Sequence, residues 1–230
     1  MTKEIFPKLD VYHDVSSRSA AMNMALDEAL LETATLPLVR CYRWNHPALS
    51  FGYFGRLADV TGYANERDLV RRWTGGGVVL HGDDLTYSVV IPASAELFAA
   101  SPRSIYAAIH AALRNAMVAL GHHEVVAAVI DRRADVRDAG YNGHCFARPV
   151  PADVMVNGRK VAGAAQRRTR RGLLQQGSVQ QINLPNDLAE RFAQELSANG
   201  NKRKIDTELL HRARELVERK YGTREWLQRR

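Results

Sequence analysis

The sequence predicts an α+β fold, a mainly antiparallel mixed sheet flanked by helices. Helical and strand patterns mix along the chain, with no internal repeat or low-complexity tract. Neighbouring strand patterns are joined by short turns rather than by the long crossovers that parallel pairs require. At 230 residues with 46% apolar and 25% charged side chains, the composition is that of one ordinary globular domain.

Ser16 or Ser17 can cap a first helix running to about Ala34, with Met22, Leu26, Ala29 and Leu30 on one face. Leu38 to Trp44 alternates as a strand does, and after Asn45-His46-Pro47 a second strand is expected at Leu49 to Tyr53, the two forming a hairpin. Val70 to Trp73 and Val78 to Leu80 read as strands on either side of Thr74-Gly75-Gly76-Gly77. Leu85 to Ile91 is a further strand, stopped by Pro92.

The clearest helix is Arg103 to Leu120. Ser101 suits its N-cap, Pro102 its first position and Gly121 the position past its end. Ile105, Ile109, Leu113 and Met117 recur every four residues and predict one buried stripe. Strands are expected at Val125–Ile130, Asp153–Val156, Val161–Arg167 and Gly172–Gln181, with Asn157-Gly158 as a hairpin turn. Asp187–Ala198 and Asp206–Tyr221 close the chain as helices. The expected organisation is a single catalytic domain over 1–230, its core at about 11–183, a helical segment at 185–230 and no separate accessory domain.

Composition narrows the partners. Thirty-two basic against 25 acidic residues give a net charge of +7, which favours an acidic partner. The excess gathers at Arg167, Arg168, Arg170 and Arg171 and in the tail from Lys202. Neither stretch has the aromatic interleaving or motif of a nucleic-acid site, so none is expected. Two cysteines, Cys41 and Cys145, make no disulfide framework and suit a reducing compartment. No leader-like or membrane-length apolar run is seen, so the expectation is a cytoplasmic protein without a membrane partner.

Two stretches carry chemistry. In Arg71-Arg72-Trp73-Thr74-Gly75-Gly76-Gly77-Val78-Val79-Leu80-His81, the glycines let backbone N–H groups approach a ligand, and the arginines can pair with an anion. A plain glycine turn with solvated arginines accounts for the glycines alone, and His81 can donate to whatever the loop holds. The second stretch runs from Cys145 to Gln166. Lys160 follows a turn glycine and opens a strand of small residues, so its ammonium can face a cleft or simply be exposed. A thiol near such a cation becomes a nucleophile, although most free cysteines are small buried hydrophobes. That second role suits Cys41 best. His110, His122 and His123 read as structural, Asp27 and Glu28 as surface or capping charges. No histidine or cysteine spacing suits a metal, so none is expected.

These residues resemble the superfamily of lipoate–protein ligases, octanoyltransferases and biotin–protein ligases over roughly Val11 to Asn183. Asn23-Met24-Ala25-Leu26-Asp27-Glu28 looks like its first-helix motif, Arg71 to His81 fits RRxTGGGxVxH, and Gly158 to Gln166 looks like GRKVAGxAQ. Within it, Cys145-Phe146-Ala147-Arg148-Pro149 resembles the CFxxP setting of the nucleophile in the ligase-like, cysteine-dependent octanoyl-acyl carrier protein:protein N-octanoyltransferases. Cys145 stands fifteen positions ahead of Lys160, and 47 residues follow Asn183, where many ligases carry an accessory domain. One departure is Gln175-Gln176-Gly177-Ser178, where relatives often show histidine before glycine.

The resemblance implies a biotin/lipoate ligase catalytic-domain fold and an acyltransferase of lipoate biosynthesis. Cys145 would be the thioester nucleophile and Lys160 would lower its pKa and touch substrate. Arg71, Arg72, Gly75, Gly76, Gly77, Val78, His81, Ala162, Gly163 and Gly177 would line the substrate site, with backbone N–H groups of the glycine loop or of Ala162–Gly163 facing the oxyanion. The donor would be octanoyl-acyl carrier protein, and the acceptor a lipoyl domain of glycine cleavage H protein or of a 2-oxoacid dehydrogenase E2. No cofactor is implied. An ATP-dependent lipoate–protein ligase, with ATP and magnesium, is the first alternative, and a non-catalytic basic binding protein the second.

Overall fold

The computed structural model describes residues 4–129 and 149–229. The first half of the chain gives β1 (Leu9–Arg18), α1 (Ala20–Thr33), β2 (Leu38–Trp44), β3 (Ala48–Phe51), β4 (Asp68–Arg71), β5 (Val79–His81) and β6 (Leu85–Pro92). Then come α2 (Pro102–Ala119), β7 (Val125–Ala127), β8 (Val154–Val156), β9 (Arg159–Arg168) and β10 (Gly172–Val179). The last part gives α3 (Leu188–Leu196), β11 (Gly200–Arg203), α4 (Thr207–Leu216), which continues as a π-helical turn at Val217–Tyr221, and α5 (Arg224–Gln228).

Eight strands form one sheet in the order β11-β1-β2-β6-β10-β9-β8-β7, and β4-β3-β5 form a smaller second sheet. The large sheet is antiparallel except where β1 lies parallel to β2 and β11. The α+β class is therefore as the sequence predicts. Side-chain alternation on β6 divides the core in two. Tyr87, Val89 and Ile91 face α2 and α3, whose Ile105, Ile109, Leu113, Met117 and Phe192 are fully buried. Val90, on the opposite face, packs with Met24 and Leu30 of α1 and Leu209, Ala213 and Leu216 of α4. Burying each such large apolar side chain stabilises the fold by roughly 1.5–3 kcal/mol.

Helix α2 obeys its local signals. The Ser101 hydroxyl accepts from the Ser104 N–H at 3.1 Å, and Pro102 opens the helix. Asn157 and Gly158 both take positive φ, 49° and 75°, as a two-residue hairpin turn of the mirror-image kind demands.

Four expectations are corrected. Ser16 and Ser17 lie inside β1, and α1 starts later, capped by Ser19, whose hydroxyl accepts from Met22 N–H at 3.3 Å. β2 and β3 make no hairpin, because β2 pairs with β1 and β6 while β3 crosses to the second sheet. β4 and β5 flank the glycines yet pair with β3 rather than with each other, so the loop is not the plain turn between neighbouring strands that the glycines alone suggest. Finally, the C-terminal segment is not purely helical, since β11 adds a parallel strand beside β1.

Candidate functional site

The glycine loop between β4 and β5 is held from three sides. Arg72 donates from Nη2 to the Gly75 and Gly77 carbonyls at 2.8 and 2.7 Å, turning those carbonyls inward. Gly52, just past β3, has the loop lying directly on it: a Cβ there would collide with the Gly76 carbonyl and the Gly75 backbone. Thr74 is tied from both ends. Its carbonyl accepts from Tyr53 N–H at 2.9 Å, and its hydroxyl donates to Gln176 Oε1 at 2.8 Å.

Beside this loop, against strands β9 and β10, opens a slot of about 370 Å³, including its mouth. Met24, Tyr42, Trp44 and Val79 give it large apolar walls, and Gly163, Ala164, Ala165 and Gly177 supply backbone and small side chains. Arg72, Ser50, His81, Thr86, Gln176 and Ser178 bring polar atoms to it.

Those polar groups are satisfied among themselves. His81 donates from Nδ1 to Asp84 at 2.8 Å, its Nε2 meets Ser50 Oγ at 2.8 Å, and its ring stacks on Trp44 at 4.1 Å. Ser50 Oγ also accepts from Arg72 Nη1 at 2.9 Å. Burial alone would raise the Asp84 carboxyl, but the His81 ring and the Ser178 and Thr86 hydroxyls hold it at about 2.

Lys160 sits at the slot's edge. Its Nζ lies 2.7 Å from Asp153, with both side chains almost wholly buried. Gly163 makes that possible, since a Cβ there would fall on Cε and Nζ of Lys160. Asp153 also accepts from the Tyr106 hydroxyl and from Val150 N–H, the latter at 2.7 Å. Tyr106 in turn accepts from Ala164 N–H at 3.0 Å. Asp153 thus ties α2, β9 and the chain at Val150 to one ammonium. Val150 follows Cys145 by five positions in the sequence, and Cys145 itself lies outside the described residues.

Arg71 points away from the slot. Its five N–H donors go to the carbonyls of Tyr53, Gly55, Trp226, Leu227 and Arg229 at 2.6–2.8 Å, so it clamps α5. An anion has no donor left to take there. Arg72, Gly163, Gly177 and His81 do line the slot, whereas Gly75, Gly76 and Gly77, expected there too, lie beside it. Ala162 packs in the α2-side core, and Val78 beside the second sheet's cluster.

Sequence reasoning missed the groups that hold the site rather than form it. Asp27 is no surface charge: it is fully buried on α1, where it accepts from Arg40 at 2.8 Å, Tyr42 at 3.0 Å, Ser88 at 2.8 Å and Gln176 at 2.7 Å. Glu28 is buried as well and accepts from Lys220 at 2.6 Å. A run of four polar-acceptor bonds around one helix carboxylate leaves no local pattern in the sequence. Asp153 could have been found from the hairpin, because the turn at Asn157-Gly158 sets Met155 opposite Lys160 and brings Asp153 near it. Cys41 is buried on β2, and burial pushes its thiol up to about 12, which removes it as a nucleophile.

Among the described residues, no cluster of three or more His, Cys, Asp or Glu is arranged for a metal ion. No helix among them is long and apolar enough to cross a membrane.

Residues 19–213 match the family model of the lipoyl protein ligase A/B catalytic domain. The chain is 39% identical over 170 residues to octanoyltransferase LipM of Oceanobacillus iheyensis, covering 70% of this chain and 60% of that protein. It is 36% identical to octanoyltransferase LipM of Staphylococcus epidermidis, covering 78% and 68%. The chain thus spans about three fifths to two thirds of these relatives. Among solved structures, protein Ta0514 of T. acidophilum with bound lipoic acid superposes with a TM-score of 0.74 at 20% identity, covering 97% of this chain and 99% of that one. Lipoate-protein ligase A bound with ATP does so at 0.74 and 21%, covering 97% and 98%. At that identity the likeness is one of fold.

Proposed function

Because this chain belongs to the lipoyl protein ligase A/B catalytic-domain family, we propose that it is an acyltransferase of lipoate biosynthesis working through Cys145. It moves an octanoyl group from octanoyl-acyl carrier protein to a lysine of a lipoyl domain, that of glycine cleavage H protein or a 2-oxoacid dehydrogenase E2. The observation that carries this reading is the apolar-walled slot with the Lys160 ammonium packed at its Gly163 edge, read with the cysteine fifteen positions before that lysine. The names of the octanoyltransferase relatives support the choice of acyl group. Residues 1–230 act as one catalytic unit, a reading that β11 and α5 support by joining the main sheet and the Arg71 clamp.

In this mechanism the acyl chain lies along Met24, Tyr42 and Val79. The Cys145 thiolate attacks the thioester carbonyl, the bond to the carrier's sulfur breaks, and the released thiolate takes up the proton that Cys145 lost. The amine of the acceptor lysine then attacks the octanoyl-enzyme, losing a proton as the amide forms and regenerating the thiol. Lys160 favours the thiolate by its charge, and Asp153 offsets the cost of burying that charge. Arg72 shapes the glycine loop, while Arg71 acts only by holding α5.

Intact mass spectrometry after mixing with octanoyl-acyl carrier protein tests this. We expect a gain of one octanoyl group, labile to hydroxylamine, absent in Cys145→Ala and kept in Cys41→Ala. Lys160→Gln should acylate more slowly at neutral pH and recover partly as the pH approaches that of a free thiol, roughly 8.5. An unlabelled wild type that instead attaches free lipoate with ATP would replace this reading with the ligase.

A further inference from the structure

We infer that Gln176 is a positioning residue of the acyl slot, its side-chain amide fastening the glycine loop to the buried carboxylate of Asp27. The inference rests on the reading of the slot as an acyl site. Gln176 projects from β10 into the slot wall and is buried. Its Nε2 donates to Asp27 Oδ2 at 2.7 Å, and its Oε1 accepts from the Thr74 hydroxyl at 2.8 Å. The orientation of the amide is fixed by chemistry, because an ionised carboxylate only accepts. Asp27 is itself held in place: Arg40 donates to it at 2.8 Å, and a second carboxylate, Asp14, accepts from Arg40 at 2.8 Å. A rigid chain therefore runs from the core through Gln176 to the first residue of the Thr74–Gly77 loop.

The position needs one donor toward Asp27 and one acceptor toward Thr74 at the same time. An amide supplies both at every pH. A leucine supplies neither: the Thr74 hydroxyl loses its acceptor and Asp27 loses one of its four donors. A neutral imidazole supplies both, but a protonated one only donates and must release Thr74. Among the described residues, the charged and titratable groups around the site include Asp27 on α1, Arg40 and Tyr42 on β2, Arg72 and His81 across the slot, and Asp84 behind His81. The adjacent Asp27 carboxylate favours the protonated imidazole. A histidine at 176 thus makes the slot sensitive to acid, and glutamine makes it insensitive.

The test uses octanamide, a neutral probe of the slot, with binding followed through the fluorescence of Trp44, which lines it. In the full chain, Gln176→Leu should weaken binding by roughly tenfold, as loss of one or two buried hydrogen bonds does. Gln176→His should bind like the wild type at pH 8 and lose affinity by pH 6, while the wild type stays flat. Thr74→Val cuts the same link from the loop side and leaves the donors to Asp27 in place; it should weaken binding, and Thr74→Ser should restore it. Folded Thr74→Val with unchanged affinity, or Gln176→His with a flat pH profile, overturns the inference alone. A wild type that binds no octanamide overturns the acyl-slot reading and this inference with it.

Discussion

At the scale of single residues, the site depends on charges buried in pairs. Lys160 and Asp153 form one such pair, and removing either partner takes a buried counter-charge from the other, at a cost of about 3–5 kcal/mol. Lys160→Gln, which retains a donor, is therefore a cleaner probe than alanine. His110 is the neighbouring example of a group buried without charge. Its Nδ1 donates to the Ala152 carbonyl at 2.9 Å and its Nε2 meets the Tyr87 hydroxyl at 2.8 Å. Burial lowers it to about 4, against the small opposing effects of the Ala152 carbonyl and Asp153. Between about pH 6.5 and 4 the unfolded chain binds a proton that the folded chain refuses, so stability falls as the pH drops through that window, by about 3 kcal/mol in all. Urea unfolding at pH 7 and pH 4.5 should show this loss, and His110→Gln should remove most of it. An equal loss in both proteins would place the acid sensitivity elsewhere.

At the scale of elements, Arg71 decides how the C-terminus meets the site. Its five bonds to backbone carbonyls join β4 to α5, and Trp226 returns a bond from Nε1 to the Arg71 carbonyl at 2.9 Å. Arg71→Met should lower stability by roughly 2–4 kcal/mol through the carbonyls it leaves bare, with α5 gaining hydrogen exchange first. Unchanged exchange in α5 would show that the clamp is not needed. The elements legible in the sequence were those whose signals are local. The α2 helix has its cap, its proline and its four-residue stripe within one segment, and β8 and β9 are set by Asn157-Gly158. β1 hid because its inward side carries Asp14, which pairs with Arg40 of β2, so apolar alternation fails there. The β2–β3 hairpin failed for a tertiary reason: Asn45-His46-Pro47 does turn the chain, but into another sheet. Arg71 and Arg72 stood out by position, yet nothing local separates the one that clamps a helix from the one that shapes the loop.

At the scale of the whole molecule, the excess of seven positive charges is not one even field. Arg168 donates to the Phe98 and Ala100 carbonyls and lies over the Phe98 ring, and Arg167 lies over Tyr53 and Trp73 beside the glycine loop. Arg167 and Arg168, part of the cluster that suggested acidic partners, are thus engaged by neighbouring rings and carbonyls, while Arg170 and Arg171 are exposed. The proposed function has one chain carry the acyl group on its own sulfur between two proteins, with no nucleotide. The most direct measurement takes octanoyl-enzyme freed of donor, mixes it with a lipoyl domain without ATP, and follows both masses. The account expects the enzyme to lose one octanoyl group as the domain gains one, and the Cys145→Ala protein to do neither. A domain that gains octanoyl only with ATP and free octanoate, while the enzyme stays unlabelled, would contradict it.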